Sequence, residues 1–122
     1  MSAEPLICII DDDLSLQRAL VRLIQSFGYA ARGFGSAEAF IGSDAMPNCS
    51  CVITDIQMSG MSGFDLLHLM KSYTHPVPVI MITARTETEL EHTALANGAH
   101  CFLRKPIDSN MLADCLAKAL NA

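Results

Sequence analysis

Short continuous apolar runs alternate along this chain with stretches in which apolar residues recur every third or fourth position. Leu6–Ile10 is an unbroken apolar run ended by Asp11, Asp12 and Asp13, and it predicts a buried strand. Leu16, Leu20, Leu23, Ile24 and Phe27 follow at helical spacing, with Gly28 as the stop. Residues 29–34 predict a weaker strand. Ser36 predicts the cap of a short helix through Phe40 that fades at Gly42. Residues 51–54 form a second buried strand ended by Asp55, and residues 60–63 a loop. Helical period returns in Phe64, Leu66, Leu67 and Met70. Residues 77–83 predict a strand with Pro76 and Pro78 at its start, where a missing N–H is tolerated. Thr86-Glu87-Thr88-Glu89 matches a capping box opening a helix toward Asn97, with Gly98 as its stop. Residues 100–103 predict the last strand, broken by Lys105-Pro106. Asp108 or Ser109 then caps a final helix carrying Met111, Leu112, Leu116 and Leu120.

Strand and helix thus alternate five times. Near-continuous apolar strands separated by helices imply a parallel sheet covered on both faces. Right-handed crossovers make it doubly wound. The length of 122 residues fits one domain, residues 1–122. With 51% hydrophobic and 17% charged residues, the chain forms a core and is not disordered. No apolar run approaches the roughly 20 residues needed to span a bilayer, so no membrane association is expected. The first residues lack a basic region before Leu6 and do not read as a signal peptide. A net charge of −5 argues against direct nucleic-acid binding by this domain. The five cysteines, an odd number in or beside apolar runs, suit buried thiols in a reducing cytoplasm. Cys49-Ser50-Cys51 offers half of a metal site, but no second cysteine pair or nearby His-x-x-x-His completes it.

Ligands of an open parallel sheet bind at the carboxyl ends of its strands. Those ends carry Asp11, Asp12 and Asp13, then Asp55, Thr83 and Lys105. Asp13 reads equally well as a helix cap. If the first and third strands are neighbours, Asp11, Asp12 and Asp55 converge. Two unit charges 4 Å apart repel by about 4 kcal/mol at an effective dielectric near 20. A cluster of that kind holds a cation, and hard oxygen ligands without clustered His or Cys select Mg²⁺ or Mn²⁺. A hydroxyl and an ammonium at the same sheet end suit a phosphate. His68, His75, His92 and His100 are scattered and form no catalytic pair, and Met58 and Met61 read as packing residues beside the loop.

The ordered elements 9–13, 52–63, 79–84, 98–99 and 102–106 resemble the receiver domain of two-component response regulators. Residues 29–40 and the loop from Asp55 to Gly63 look most like receivers of the nitrogen-fixation and nitrate-response type. The resemblance implies a flavodoxin-like α/β fold, five strands in the order 2-1-3-4-5 with five helices. It implies Asp55 as the phosphoacceptor, taking a phosphoryl group from a histidine kinase phosphotransfer domain. It implies Mg²⁺ held by Asp12, Asp55 and the Gln57 backbone carbonyl, with Asp11 acting through a metal-bound water. Thr83 and Lys105 would bind the phosphoryl group, Thr83 and Phe102 would form the switch, and Lys105-Pro106 would be cis. A homodimer formed on phosphorylation, and an output domain or partner controlling transcription, are the implied partners. The chain would assist only its own phosphorylation and dephosphorylation and would not be an enzyme otherwise. Ser59 stands where relatives usually have proline, which should loosen the loop after Asp55. A stand-alone receiver and part of a longer regulator both fit.

Two other functions are compatible with parts of the pattern. Asp11-Asp12-Asp13 fits the Asp-x-Asp motif of haloacid-dehalogenase-type phosphatases, with Asp11 as nucleophile and Asp13 as general acid. That reading leaves Asp55 without a role, and no late acidic pair follows Lys105. A non-phosphorylated pseudo-receiver serving as an interaction module is the second.

Overall fold

The computed structural model describes residues 4–73 and 76–121; His75 lies outside the described residues. Five strands, β1 (Leu6–Ile10), β2 (Ala30–Phe34), β3 (Cys51–Asp55), β4 (Val79–Thr83) and β5 (Cys101–Arg104), alternate with five helices. These are α1 (Leu14–Ser26), α2 (Ala37–Ile41), α3 (Gly63–Lys71), α4 (Thr88–Ala96) and α5 (Ser109–Asn121). A single 3-10 turn, Met46–Asn48, precedes β3. The sheet order is β2-β1-β3-β4-β5 and every pairing is parallel. This is the doubly wound sheet expected from the alternation, in the flavodoxin-like order that the resemblance implies.

Side chains of a strand alternate between faces, so each inner strand feeds two cores. Ile7, Ile9, Ile53, Ile80 and Ile82 pack under Leu20 and Ile24 of α1 and Leu112 and Leu116 of α5. Cys8, Ile10, Val52 and Met81 pack under Phe40 of α2, Leu66, Leu67 and Met70 of α3 and Ala94 of α4. All residues of β3 and β4 are buried, whereas Arg32 and Gly33 of the edge strand β2 are exposed. Full burial of one such side chain stabilises by about 1.5–3 kcal/mol. Cys49 and Cys51 belong to opposite cores, so the Cys-Ser-Cys segment does not present two thiols to one ion. Burial pushes the Cys51 thiol up to about 12, leaving it protonated.

Helix starts follow the expected caps with one exception. Asp13 caps α1 by accepting the Leu16 N–H at 3.2 Å, which starts the helix at Leu14, ahead of the apolar period. Ser36 caps α2 through the Ala39 N–H at 3.0 Å. Asp108 accepts the Asn110 and Met111 N–H groups ahead of the last helix. The capping box expected at 86–89 does not form. α4 begins at Thr88 with Glu87 in the cap position and no side-chain cap. The Glu87 carboxylate is taken by Arg85, whose Nη2 lies 2.7 Å away and whose Nε donates to both oxygens. A capping box forms instead at α3, between Ser62 and Asp65. Among the described residues no helix is long and apolar enough to cross a membrane.

Candidate functional site

Parallel pairing brings the carboxyl ends of β1, β3, β4 and β5 to one edge. β1 and β3 are direct neighbours, pairing Ile10 with Thr54, so the residues that follow each strand meet. One carboxylate oxygen from each of Asp11, Asp12 and Asp55 lies within 4.8 Å of the others. Asp11 and Asp55 are buried and Asp12 is exposed. Asp13 stays outside the cluster, occupied as the α1 cap, which removes the general acid that a phosphatase reading requires.

Lys105 reaches into the cluster from the end of β5. Its Nζ lies 2.9 Å from Asp11 Oδ2 and 2.9 Å from Asp55 Oδ2. It donates a hydrogen bond to Asp55. It approaches Asp11 Oδ2 outside hydrogen-bonding geometry, and that oxygen is left buried without a hydrogen-bond donor among the described residues. Burial opposes the Lys105 ammonium, but the neighbouring carboxylates of Asp55 and Asp11 outweigh it and raise its pKa above the ordinary value. Burial raises the Asp11 carboxyl above its ordinary value, against the Asp13 N–H and Lys105, which pull it down. The charge of Asp55 is the smallest contribution to that shift, so desolvation rather than mutual repulsion dominates it.

Main-chain bonds hold the carboxylates in place. The Asp13 N–H donates to Asp11 Oδ1 at 2.9 Å, and the Gln57 N–H donates to Asp55 Oδ1 at 3.3 Å. Gln57 is exposed, at the start of the β3–α3 loop (residues 56–62). A buried Gln17 side chain donates to the Asp11 carbonyl at 3.2 Å. It occupies space over Gly33 that any Cβ would fill. Gln17 escaped the sequence reading; the signal was a polar residue on the Leu20–Ile24 stripe beside a glycine-containing strand. Gly63 is equally constrained, because a Cβ there would collide with the Asp55 carbonyl.

On the other side, Thr83 ends β4 with its hydroxyl oxygen accepting the Arg85 N–H at 3.0 Å. Thr83 pairs with Arg104 and Met81 with Phe102, so Thr83, Phe102 and Arg104 share a sheet face. The Arg104 guanidinium stacks 5.0 Å from the Phe102 ring centroid. It also donates to the Arg85 carbonyl at 2.6 Å and to the Glu87 carbonyl at 3.1 Å. The β4–α4 loop (residues 84–87) is thereby tied to β5. Arg104 was also missed; neither its type nor its position beside Lys105 distinguished it from a solvated charge. The Lys105–Pro106 peptide is cis. His68 and His92 are exposed and His100 half-buried, away from the carboxylates.

Three carboxylates with one oxygen each within 4.8 Å of the others, beside an ammonium, suit a hard divalent cation next to an anionic group. The response regulator receiver domain family matches residues 7–117. The transcriptional regulatory protein FixJ of Bradyrhizobium diazoefficiens is 34% identical over 122 residues, spanning 98% of this chain and 58% of that protein. The chain thus spans little more than half the length of such regulators. A receiver protein from Burkholderia phymatum superimposes with a TM-score of 0.83 at 34% identity, covering 97% of this chain and 96% of that one. A receiver domain protein from Clostridium thermocellum gives a TM-score of 0.87 at 27% identity, with coverages of 96% and 94%.

Proposed function

This chain belongs to the response regulator receiver domain family, and from that premise we propose that Asp55 is its phosphoacceptor. The single observation that carries the assignment is the convergence of Asp11, Asp12 and Asp55 with Lys105 between two of them. A carboxylate at that point can attack the phosphorus of a kinase phosphohistidine. The P–N bond breaks as the O–P bond forms, and the imidazole leaves. Phosphoryl transfer asks chiefly for alignment and for positive charge on the equatorial oxygens. Lys105 supplies charge by turning its ammonium from the carboxylates to the incoming oxygens. The Thr83 hydroxyl oxygen accepts the Arg85 N–H, and its O–H can donate to a phosphoryl oxygen at the same time.

Asp12, Asp55 and the Gln57 carbonyl would hold Mg²⁺ or Mn²⁺, with Asp11 behind them. The ion would supply further positive charge to the transferring group. Residues 1–122 act as one receiver, a signalling module rather than an enzyme in its own right. A cytoplasmic histidine kinase phosphotransfer domain donates to it, and its readout is control of an output domain or partner, in transcription as for FixJ. The switch couples Thr83 through Arg104 to Phe102. It changes the face of α4, β5 and α5, where Leu95 and Met111 are exposed, and this face carries the dimer or output contact.

Intact-mass measurement after acetyl phosphate and Mg²⁺ tests the assignment. A gain of one phosphoryl group is expected for the natural sequence and none for Asp55→Asn. Labelling that persists in that variant, or moves to Asp11, would overturn it.

A further inference from the structure

The β3–α3 loop carries Gln57 toward the carboxylate cluster, and it is fixed firmly at both ends. At its start the Gln57 N–H donates to Asp55. At its end the Gly63 N–H donates to the Ile56 carbonyl at 2.9 Å, and Ser62 and Asp65 form their reciprocal box. Between these ends Met58 and Met61 are half-buried against the core, while Ser59 and Gly60 are exposed and Ser59 has no ring to fix its φ. Among the described residues one hydrogen bond ties this middle stretch to another element. The Met61 N–H donates to Glu38 Oε2 at 2.9 Å, across 23 positions of sequence.

Glu38 is well placed to act as an anchor. It lies in the first turn of α2, which is capped by Ser36 and rooted in the core by Ala37 and Phe40, neither of them exposed to solvent. Its carboxylate lies close against Gly60, Oε2 nearest. A Cβ built on that glycine would stand 2.5 Å from Oε2, and the backbone there has φ +78°. Gly60 therefore serves two ends at once, a left-handed turn and close approach of the carboxylate. The Met61 N–H, together with the residue's own N–H, holds the Glu38 carboxyl below its ordinary value, so it is ionised at neutral pH.

We infer that Glu38 is a positioning residue for the phosphoacceptor site, clamping the β3–α3 loop so that the Gln57 carbonyl is presented to the metal. The inference rests on the reading of Asp55 and Gln57 given above. A charge-assisted bond from a carboxylate to a backbone N–H is stronger than a neutral one, and a loop free to wander presents its carbonyl only part of the time.

The test uses the full chain and Mg²⁺ alone as the probe. Glu38→Ala should weaken Mg²⁺ binding by about threefold to tenfold, the loss of one hydrogen bond at a solvent-exposed site, and speed exchange of the Met61 amide. Glu38→Gln, which keeps an acceptor oxygen, should recover most of the affinity. Ser59→Pro placed in the Glu38→Ala background should restore part of it by narrowing the loop's freedom. Gly60→Ala, which displaces the carboxylate without removing it, should reproduce the loss. Unchanged Mg²⁺ affinity in Glu38→Ala would overturn the inference, as would Gln and Ala variants equally impaired with no rescue by proline. Acetyl phosphate labelling of the natural sequence, read beside these titrations, separates the two claims. Absent labelling at Asp55 defeats the phosphoacceptor assignment, whereas the Mg²⁺ series alone decides the role of Glu38.

Discussion

The β3–α3 loop hangs an amide N–H on a carboxylate, Glu38, while the β4–α4 loop rests two carbonyls on a guanidinium, Arg104. Both loops border Asp55, and the signs of their tethers are opposite. The anchors differ as well. Glu38 is a short reach from a helix rooted in the core. Arg104 is a long side chain on β5 that also lies over Phe102. On the function proposed above, the loop that would present the Gln57 carbonyl to a cation is tied to a helix rooted in the core. The loop that would follow Thr83 toward a phosphoryl group is tied to a longer side chain that also lies over Phe102. Anchors of opposite charge and different length thus hold the backbone on the two sides of one aspartate.

The largest effect expected from breaking this contrast comes from Arg104→Ala. Two hydrogen bonds from a charged donor are lost at a half-exposed site, a cost of about 1–2 kcal/mol after allowance for solvent. Amide exchange in residues 84–88 should accelerate by roughly tenfold, while that of Met61 stays as it was. Equal acceleration in both loops would mean that they are held as one unit. Arg104→Lys should recover little, because one ammonium cannot span both carbonyls as a planar fork does.

A smaller effect is expected at the root of the tighter loop. Ser62→Ala removes the acceptor of the Asp65 N–H at 3.1 Å and should cost about 1 kcal/mol in denaturant unfolding. Phosphorylation of Asp55 should be little changed, since the Gly63 and Glu38 contacts remain. A loss of labelling as large as that from loosening the middle of the loop would show that its base and its middle are not separable.

The smallest effect concerns the charge between the loops. The folded pKa of Asp11 is raised above the unfolded value. Its contribution to stability is therefore complete below the unfolded value and is lost as pH rises through the folded one. The raised pKa of Lys105 acts in the same sense but only in the alkaline range. In chelator, the melting temperature of Asp11→Asn relative to the natural sequence should climb as pH rises above about 4, the ordinary carboxylate value, toward neutrality. Millimolar Mg²⁺ should close part of that gap by binding the natural site. A gap independent of pH would remove the burial of Asp11 as its cause.

Much of this architecture could be read from the chain because it depends on short-range patterns. The apolar runs of β1, β3 and β4 and the helical stripes of α1, α3 and α5 each lie within a few residues, and the strand ends then follow from topology. The carboxylates and Lys105 were legible for a related reason: each closes a strand, and the carboxyl ends of parallel strands lie along one edge. What escaped depends on distant partners. Glu38 meets Met61 across 23 positions, and Gln17 fits because Gly33 lies on a neighbouring strand. The expected box at 86–89 fails because α4 starts at Thr88, with Glu87 rather than Thr86 at the cap, on a backbone whose Arg85 and Glu87 carbonyls are held by Arg104. Local pattern proposes such bonds, and tertiary neighbours decide which of them form. The loosening expected from Ser59 is likewise opposed by a contact that no local pattern contains.

The polarity of the sheet also divides the molecule into a working end and an idle one. Asp11, Asp55, Thr83 and Lys105 all sit where strands finish, whereas the turns leading into β2 and β5, through Gly28 at φ +98° and Gly98 at φ +100°, lie at the opposite rim. The space around Gly28 is open, with nothing within 4 Å of where a side chain would begin. For anyone wiring this domain into a sensor, that turn is the natural splice point. A fluorophore or tether inserted there would hang a full strand length from the phosphorylation chemistry, and the chain entering β2 would reach its first paired residue without crossing the site.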